Sequence, residues 1–145
     1  MPIKSFRGKI ADEDKDSIAL HTRDGSVGYR IKKFTIIPND PTDDTATAAV
    51  MKIYSVKQTG AVTDTIDFGD NTLLGCAFYS ANTDTTPGEM VVIFDNMTFN
   101  QDIYLTNSIN GSAELQMNYY LELEQVKLDL NENTVATLKD IRNQS

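Results

Sequence analysis

One cysteine and one histidine, Cys76 and His21, limit the nucleophilic and metal chemistry this chain can do. A single cysteine excludes an intrachain disulfide and any multi-cysteine cluster, and a single histidine excludes zinc sites built on histidine pairs. A Cys–His pair would need His21 carried beside Cys76, and nothing in the spacing does so. Cys76 lies inside Leu73-Leu74-Gly75-Cys76-Ala77-Phe78, where a buried, inert thiol is expected. Asp12, Asp14 and Asp16 alternate as at the start of a calcium-binding loop. Ser17 then stands where the sharp turn wants glycine, and Arg23 where a bidentate glutamate should close the cage. A hydrated turn is therefore expected there. Glu122 and Glu124 share a strand face and so mimic a glycosidase acid pair, yet solvation of an exposed face is much the better explanation of them. Phosphate-cradling glycine loops and hydrolase elbows lack their signatures. The sequence predicts no catalytic residue, no cofactor and no metal.

The elements that would hold any site read as strands. Ser17 to Thr22 alternates and meets Asp24-Gly25, a turn that predicts a hairpin with the segment Tyr29 to Ile37. In that segment the apolar face changes around Lys32-Lys33, which predicts a bulge or a bend between sheets. Val50 to Lys57, Leu73 to Ser80, Met90 to Phe94 and Ile103 to Thr106 are further strands, and Asn110-Gly111 a second hairpin turn. From Leu115 to Leu123 apolar and polar residues alternate strictly, the mark of one buried and one wet face. The expected fold is all-β: an antiparallel β-sandwich, jelly-roll-like, forming a single domain over residues 1–145. Its core should include Ile18, Leu20, Ile36, Ile53, Leu74, Phe78, Val92, Phe94, Tyr104, Tyr119, Leu121 and Leu123.

The two ends differ from this body. Asp129 and Glu132 resemble a capping box, with Asn131 an equal alternative as the cap, and Val135, Leu138 and Ile141 form a narrow apolar stripe, so a short C-terminal helix is expected over residues 129–143. So sparse a stripe has to dock to be stable. Residues 1–10 carry Lys4, Arg7 and Lys9 without an acid, on a chain of 145 residues with net charge −8. They read as a basic arm able to meet an acidic partner. Lys4, Phe6, Arg7 and Lys9, with Val135, Leu138 and Ile141, are accordingly the candidate partner-contact residues. The overall acidity argues against nucleic-acid binding. No apolar run approaches the length of about twenty residues that a membrane-spanning helix needs, and no secretory leader follows Met1. Trp is absent and most Tyr and Phe fall in expected strands, so the sequence displays no obvious sugar-stacking platform.

Three stretches carry a family likeness. Ile3-Lys4-Ser5-Phe6-Arg7-Gly8-Lys9-Ile10, the central Ile93-Phe94-Asp95-Asn96 with Phe99-Asn100-Gln101-Asp102-Ile103-Tyr104, and the closing run from Tyr119 to Glu132 resemble small virion proteins of marine bacteriophages. The resemblance extends over nearly the whole chain and implies a capsid-associated decoration or cement protein with a β-sandwich fold. Such a protein would sit on the capsid surface, contact the major capsid protein, form a homo-oligomer and be made in the host cytoplasm. It carries over no catalytic residue. A receptor- or glycan-binding module of a phage fibre or tail is the alternative expectation for the same fold.

Overall fold

A computed structural model describes residues 3–20, 27–39, 48–80, 88–94, 98–110 and 116–128. Eight strands follow in order: β1 Ile3–Ile10, β2 Asp14–Ile18, β3 Val27–Pro38, β4 Ala48–Tyr54, β5 Leu73–Ser80, β6 Gly88–Ile93, β7 Ile103–Asn110 and β8 Met117–Lys127. They form a three-stranded sheet, β1-β8-β3, and a five-stranded sheet, β2-β7-β4-β5-β6, with every pairing antiparallel. Strands β1 and β8, β2 and β7, and β4 and β5 pair as in a jelly roll. The remaining jelly-roll neighbours, β3 and β6, are joined by a side chain. The Glu89 carboxylate on β6 accepts hydrogen bonds from the Ile36 backbone N–H and the Thr35 hydroxyl on β3, both at 2.9 Å. The chain is therefore an all-β antiparallel sandwich of jelly-roll order.

Between the sheets lies one core, with Met51, Ile53, Leu74, Ile103, Leu105, Met117, Leu121 and Leu123 almost wholly removed from water. The expected phase change in β3 is a register shift between Ile31 and Lys33. It lets Tyr29 and Ile31 before it, and Phe34 and Ile36 after it, all face the core. A matching irregularity between Ile53 and Tyr54 does the same for β5. Leu74 points inward, and then Ala77 rather than Cys76 and Phe78 does so.

That shift corrects part of the expected core. Phe78 lies on the outer face at 38% exposure, Tyr104 pairs with Tyr54 and Ser17 on the outer face of β7, and Val92 and Phe94 are half-buried at the sheet edge. The other eight expected core residues are buried. Both expected hairpins are also corrected. β2 pairs with β7 while β3 pairs with β8, so the segment holding Asp24-Gly25 connects the two sheets instead of folding one strand on the next. Likewise β7 and β8 lie in different sheets, so the connection through Asn110-Gly111 is a crossing too. Residues 21–26 and 111–115, which hold Asp24, Gly25 and Gly111, themselves lie outside the described residues. The arm expected at residues 1–10 is corrected as well: residues 3–10 are an edge strand, hydrogen-bonded along its length to β8. The C-terminal helix expected over 129–143, with Val135, Leu138 and Ile141, lies outside the described residues, as does His21.

Side chains fasten the open ends of the sandwich. The turn from β1 to β2 places Glu13 at φ 58° and donates its N–H to the Asn107 carbonyl at 2.9 Å. Buried Asn107 returns its amide to the Ile10 and Ala11 carbonyls, and the Asp12 carboxylate accepts the Ile109 N–H at 2.7 Å. Tyr119 crosses from β8 to β2, where its hydroxyl donates to the Asp16 carboxylate at 2.6 Å. The ring passes over Gly8, whose position a Cβ could not share because it would stand 2.7 Å from the ring.

Candidate functional site

The two outer faces of the sandwich are built differently. On the five-stranded sheet, register places Lys15, Thr106, Lys52 and Cys76 in one row across β2, β7, β4 and β5. Ser17, Tyr104 and Tyr54 form the next row. The segment 55–72 covers the middle of these rows. Both strand lysines hold it: Lys52 Nζ donates to the Thr65 carbonyl at 2.8 Å, and Lys15 Nζ donates to the Gln58 and Gly60 carbonyls at 2.8 Å each. Asx turns tighten the far end of the segment, where the Asp70 carboxylate accepts from the Thr72 N–H and hydroxyl, and Phe68 meets the edge of Phe94.

Burial has chemical consequences here. Lys52 is only 3% exposed, and desolvation pushes its ammonium below the ordinary lysine pKa despite the charges of Asp64 and Asp70. Burial likewise pushes the Cys76 thiol up, more strongly than the Val92 backbone bond and Lys52 pull it down. The thiol is thus held protonated beside an amine, which suits structure rather than nucleophilic attack.

Where segment 55–72 meets β2 and β7, a cleft of about 350 Å³ opens. Lys15, Ser17, Tyr104 and Thr106 form its floor, and Lys57 and Gln58 its wall. A smaller hollow of about 50 Å³ lies between Lys52, Tyr54 and the underside of the segment, sharing Thr106 and Gln58 with the cleft. Thr106 is buried, and its hydroxyl has no hydrogen-bond partner among the described residues.

Among the described residues, the three-stranded sheet has no such cover. Its outer face presents Arg7 and Lys9 from β1, Arg30, Lys32 and Lys33 from β3, and only two carboxylates, Glu122 and Glu124, from β8. Arg30 and Lys32 flank Glu124, with the Lys32 nitrogen 3.7 Å away, and the Arg30 hydrogen bond holds the Glu124 carboxyl below the usual range. Lys33 lies over the Tyr120 ring at 5.9 Å. Ile3 and Ile37, each about half exposed, and Tyr120 add apolar area between the charges.

The candidate contact residues divide between faces. Arg7 and Lys9 point out from this sheet, whereas Phe6 packs half-buried against the core and Lys4 lies over the Tyr29 ring at 5.8 Å. Asp12, Asp14 and Asp16 do not converge. Asp12 caps β7, Asp16 binds Tyr119, and Asp14 accepts from the N–H of Lys15. No group of three metal-ligating side chains occurs among the described residues. Sequence reasoning missed the cations of β3 as partners of Arg7 and Lys9, because only β8, lying between them, joins the two strands. It also missed Tyr104 as a surface residue. The strand Ile103 to Thr106 is too short for its alternation to stand out.

No family model matches the chain, and no curated protein sequence matches it. Among solved structures it is similar to a chain of Desmodium yellow mottle tymovirus, at 12% identity and TM-score 0.37 over 89% of each chain. It is also similar to the Yersinia pseudotuberculosis-derived mitogen, at 9% identity and TM-score 0.30 over 89% of this chain and 87% of that one. Likenesses this distant carry no functional argument. The jelly-roll class rests on the strand order itself. Among the described residues, no helix is long and apolar enough to cross a membrane.

Proposed function

We propose that this chain is a non-enzymatic structural protein of a virion, a decoration or cement subunit that docks on the shell through the outer face of its three-stranded sheet. The observation that carries this reading is the segregation of charge. Strands β1, β3 and β8 hold seven of the chain's thirteen Lys and Arg but two of its twenty-one Asp and Glu. A basic face on an acidic molecule steers one orientation onto an acidic surface and keeps the rest of the molecule away from it. Tyr120, Ile37 and Ile3 among those cations supply the apolar and aromatic area that a stable contact buries. The partner is an acidic patch of the major capsid protein, and neighbouring copies of the chain contact one another on the shell. Jelly rolls serve as viral shell proteins and equally as lectins, so the fold supports the reading without deciding it.

Quantitative mass spectrometry of purified particles tests the proposal. Hundreds of copies per particle are expected of a shell subunit. A handful would transfer the chain to a fibre or tail, and absence from particles would overturn the reading.

A further inference from the structure

Independently of where the protein resides, we infer that the cleft between segment 55–72 and strands β2 and β7 binds a small acidic sugar, one ring bearing a carboxylate. Its volume of about 350 Å³ falls at the small end of the range of about 300–1,000 Å³ typical of small-molecule sites, which suits one compact ligand. Three features of the lining choose the chemistry. Tyr104, half-buried on the floor, offers a ring face on which the C–H face of a sugar can stack. Ser17 and Gln58 are neutral hydrogen-bonding groups suited to sugar hydroxyls. Lys15 and Lys57 supply positive charge for a carboxylate. Lys15 commits two of its three N–H groups to the Gln58 and Gly60 carbonyls, which fixes its nitrogen in place and leaves one donor.

Asp16, the acid in the lining, offsets one of these two charges, and two lysines against one carboxylate leave the cleft net positive. Its carboxylate accepts from the Tyr119 hydroxyl on one oxygen and from the Ser17 N–H on the other. The two lysines therefore set the sign of the cleft. Because Lys15 also ties down segment 55–72, an occupied cleft should steady that segment.

The test is a titration of the isotopically labelled full chain, followed by amide NMR, with glucuronate, glucose and acetate as probes. Glucuronate should give saturable shifts at residues 15–17, 57–58 and 104–106. Glucose and acetate should each bind about tenfold more weakly, since each lacks part of the recognised chemistry. Lys57→Ala should weaken glucuronate binding about tenfold, the loss of one hydrogen bond to a charged group. Tyr104→Ala should abolish binding while Tyr104→Phe retains it, and the Phe variant keeps the test valid if the Ala variant fails to fold. Equal binding of glucuronate and acetate would reduce the site to a carboxylate trap and overturn the sugar assignment. Equal binding of glucose would overturn the role of the lysines, and the absence of saturable shifts would overturn the site.

Discussion

Among the described residues, the outer face of the β1-β8-β3 sheet is bare and basic, whereas that of the β2-β7-β4-β5-β6 sheet is covered by segment 55–72 and pinned from below by two lysines. The same fold thus makes two surfaces with opposite energetic demands. A bare face needs only solvated side chains, and its charges are free to meet a partner. A covered face must bury residues on both sides of its strands, so a polar group under the cover is costly unless it finds a bond. The Thr106 hydroxyl, without a partner among the described residues, does not. Lys52 finds the Thr65 carbonyl, and Lys15 the carbonyls of Gln58 and Gly60. The edges differ in the same way. Glu89 and the Tyr29–Phe99 bridge occupy the free side of β3, whereas β1 is the outer strand beside β8.

The largest expected effect separates the two faces of a single strand. Leu121→Ala should destabilise the protein by about 2–5 kcal/mol, because its side chain is wholly buried between the sheets. Its neighbour Tyr120, on the bare face, should cost less than about 1 kcal/mol when changed to Ala. Denaturant unfolding of both variants checks the pair, and similar costs would mean that the bare face is packed against something after all.

Breaking the cover comes next. Lys52→Ala leaves the Thr65 carbonyl without its donor and should cost about 1–3 kcal/mol. Amide exchange should rise selectively in residues 55–72. Unchanged exchange there would show that the segment is held by other contacts.

The Tyr119–Asp16 clasp gives a pH dependence. Burial first, then the hydrogen bond and charge of Asp16, push the Tyr119 phenol well above the ordinary value of 10.0. The folded state therefore holds this proton more tightly than the unfolded chain does. Its contribution is full below pH 10 and declines as the pH rises further. Tyr54 and Cys76, both pushed up by burial, also titrate in the alkaline range, so the measurement compares variants. Tyr119→Phe should lose about 1 kcal/mol near neutrality and then converge on the parent in thermal unfolding above pH 10. Parallel curves would deny the coupling.

These two surfaces were unequally legible in the sequence. The strict alternation of β8 announces one wet face, and the near-continuous apolar runs of β4 and β5 announce strands covered on both sides. What alternation cannot give is phase across an irregular register. One shift in β3 coincided with a visible change of face at Lys32-Lys33, but the shift opposite Ile53 left no mark and misplaced Phe78. Partner choice was equally hidden. A jelly roll pairs strands far apart in sequence, so the two strands that flank Asp24-Gly25 lie in different sheets. The basic residues of β1 were visible as a cluster, but as a free arm. Only the pairing with β8 sets Arg7 and Lys9 on one face with Arg30, Lys32 and Lys33. Removing residues 1–9 would therefore strip an edge strand and expose β8, so charge reversal is the cleaner way to question this surface.

The most direct measurement is occupancy of particles that lack the protein after purified variants are added back. Arg7→Glu combined with Lys9→Glu should leave the melting temperature nearly unchanged, since both side chains are exposed. The double variant should lose most of its occupancy at low salt. A control adding carboxylates to the opposite surface, Thr59→Glu with Ile66→Glu, should bind like the parent protein. The parent's own binding should weaken as salt rises. Full occupancy by the double reversal, or equal loss in the control, would contradict the assignment of the basic sheet face as the docking surface.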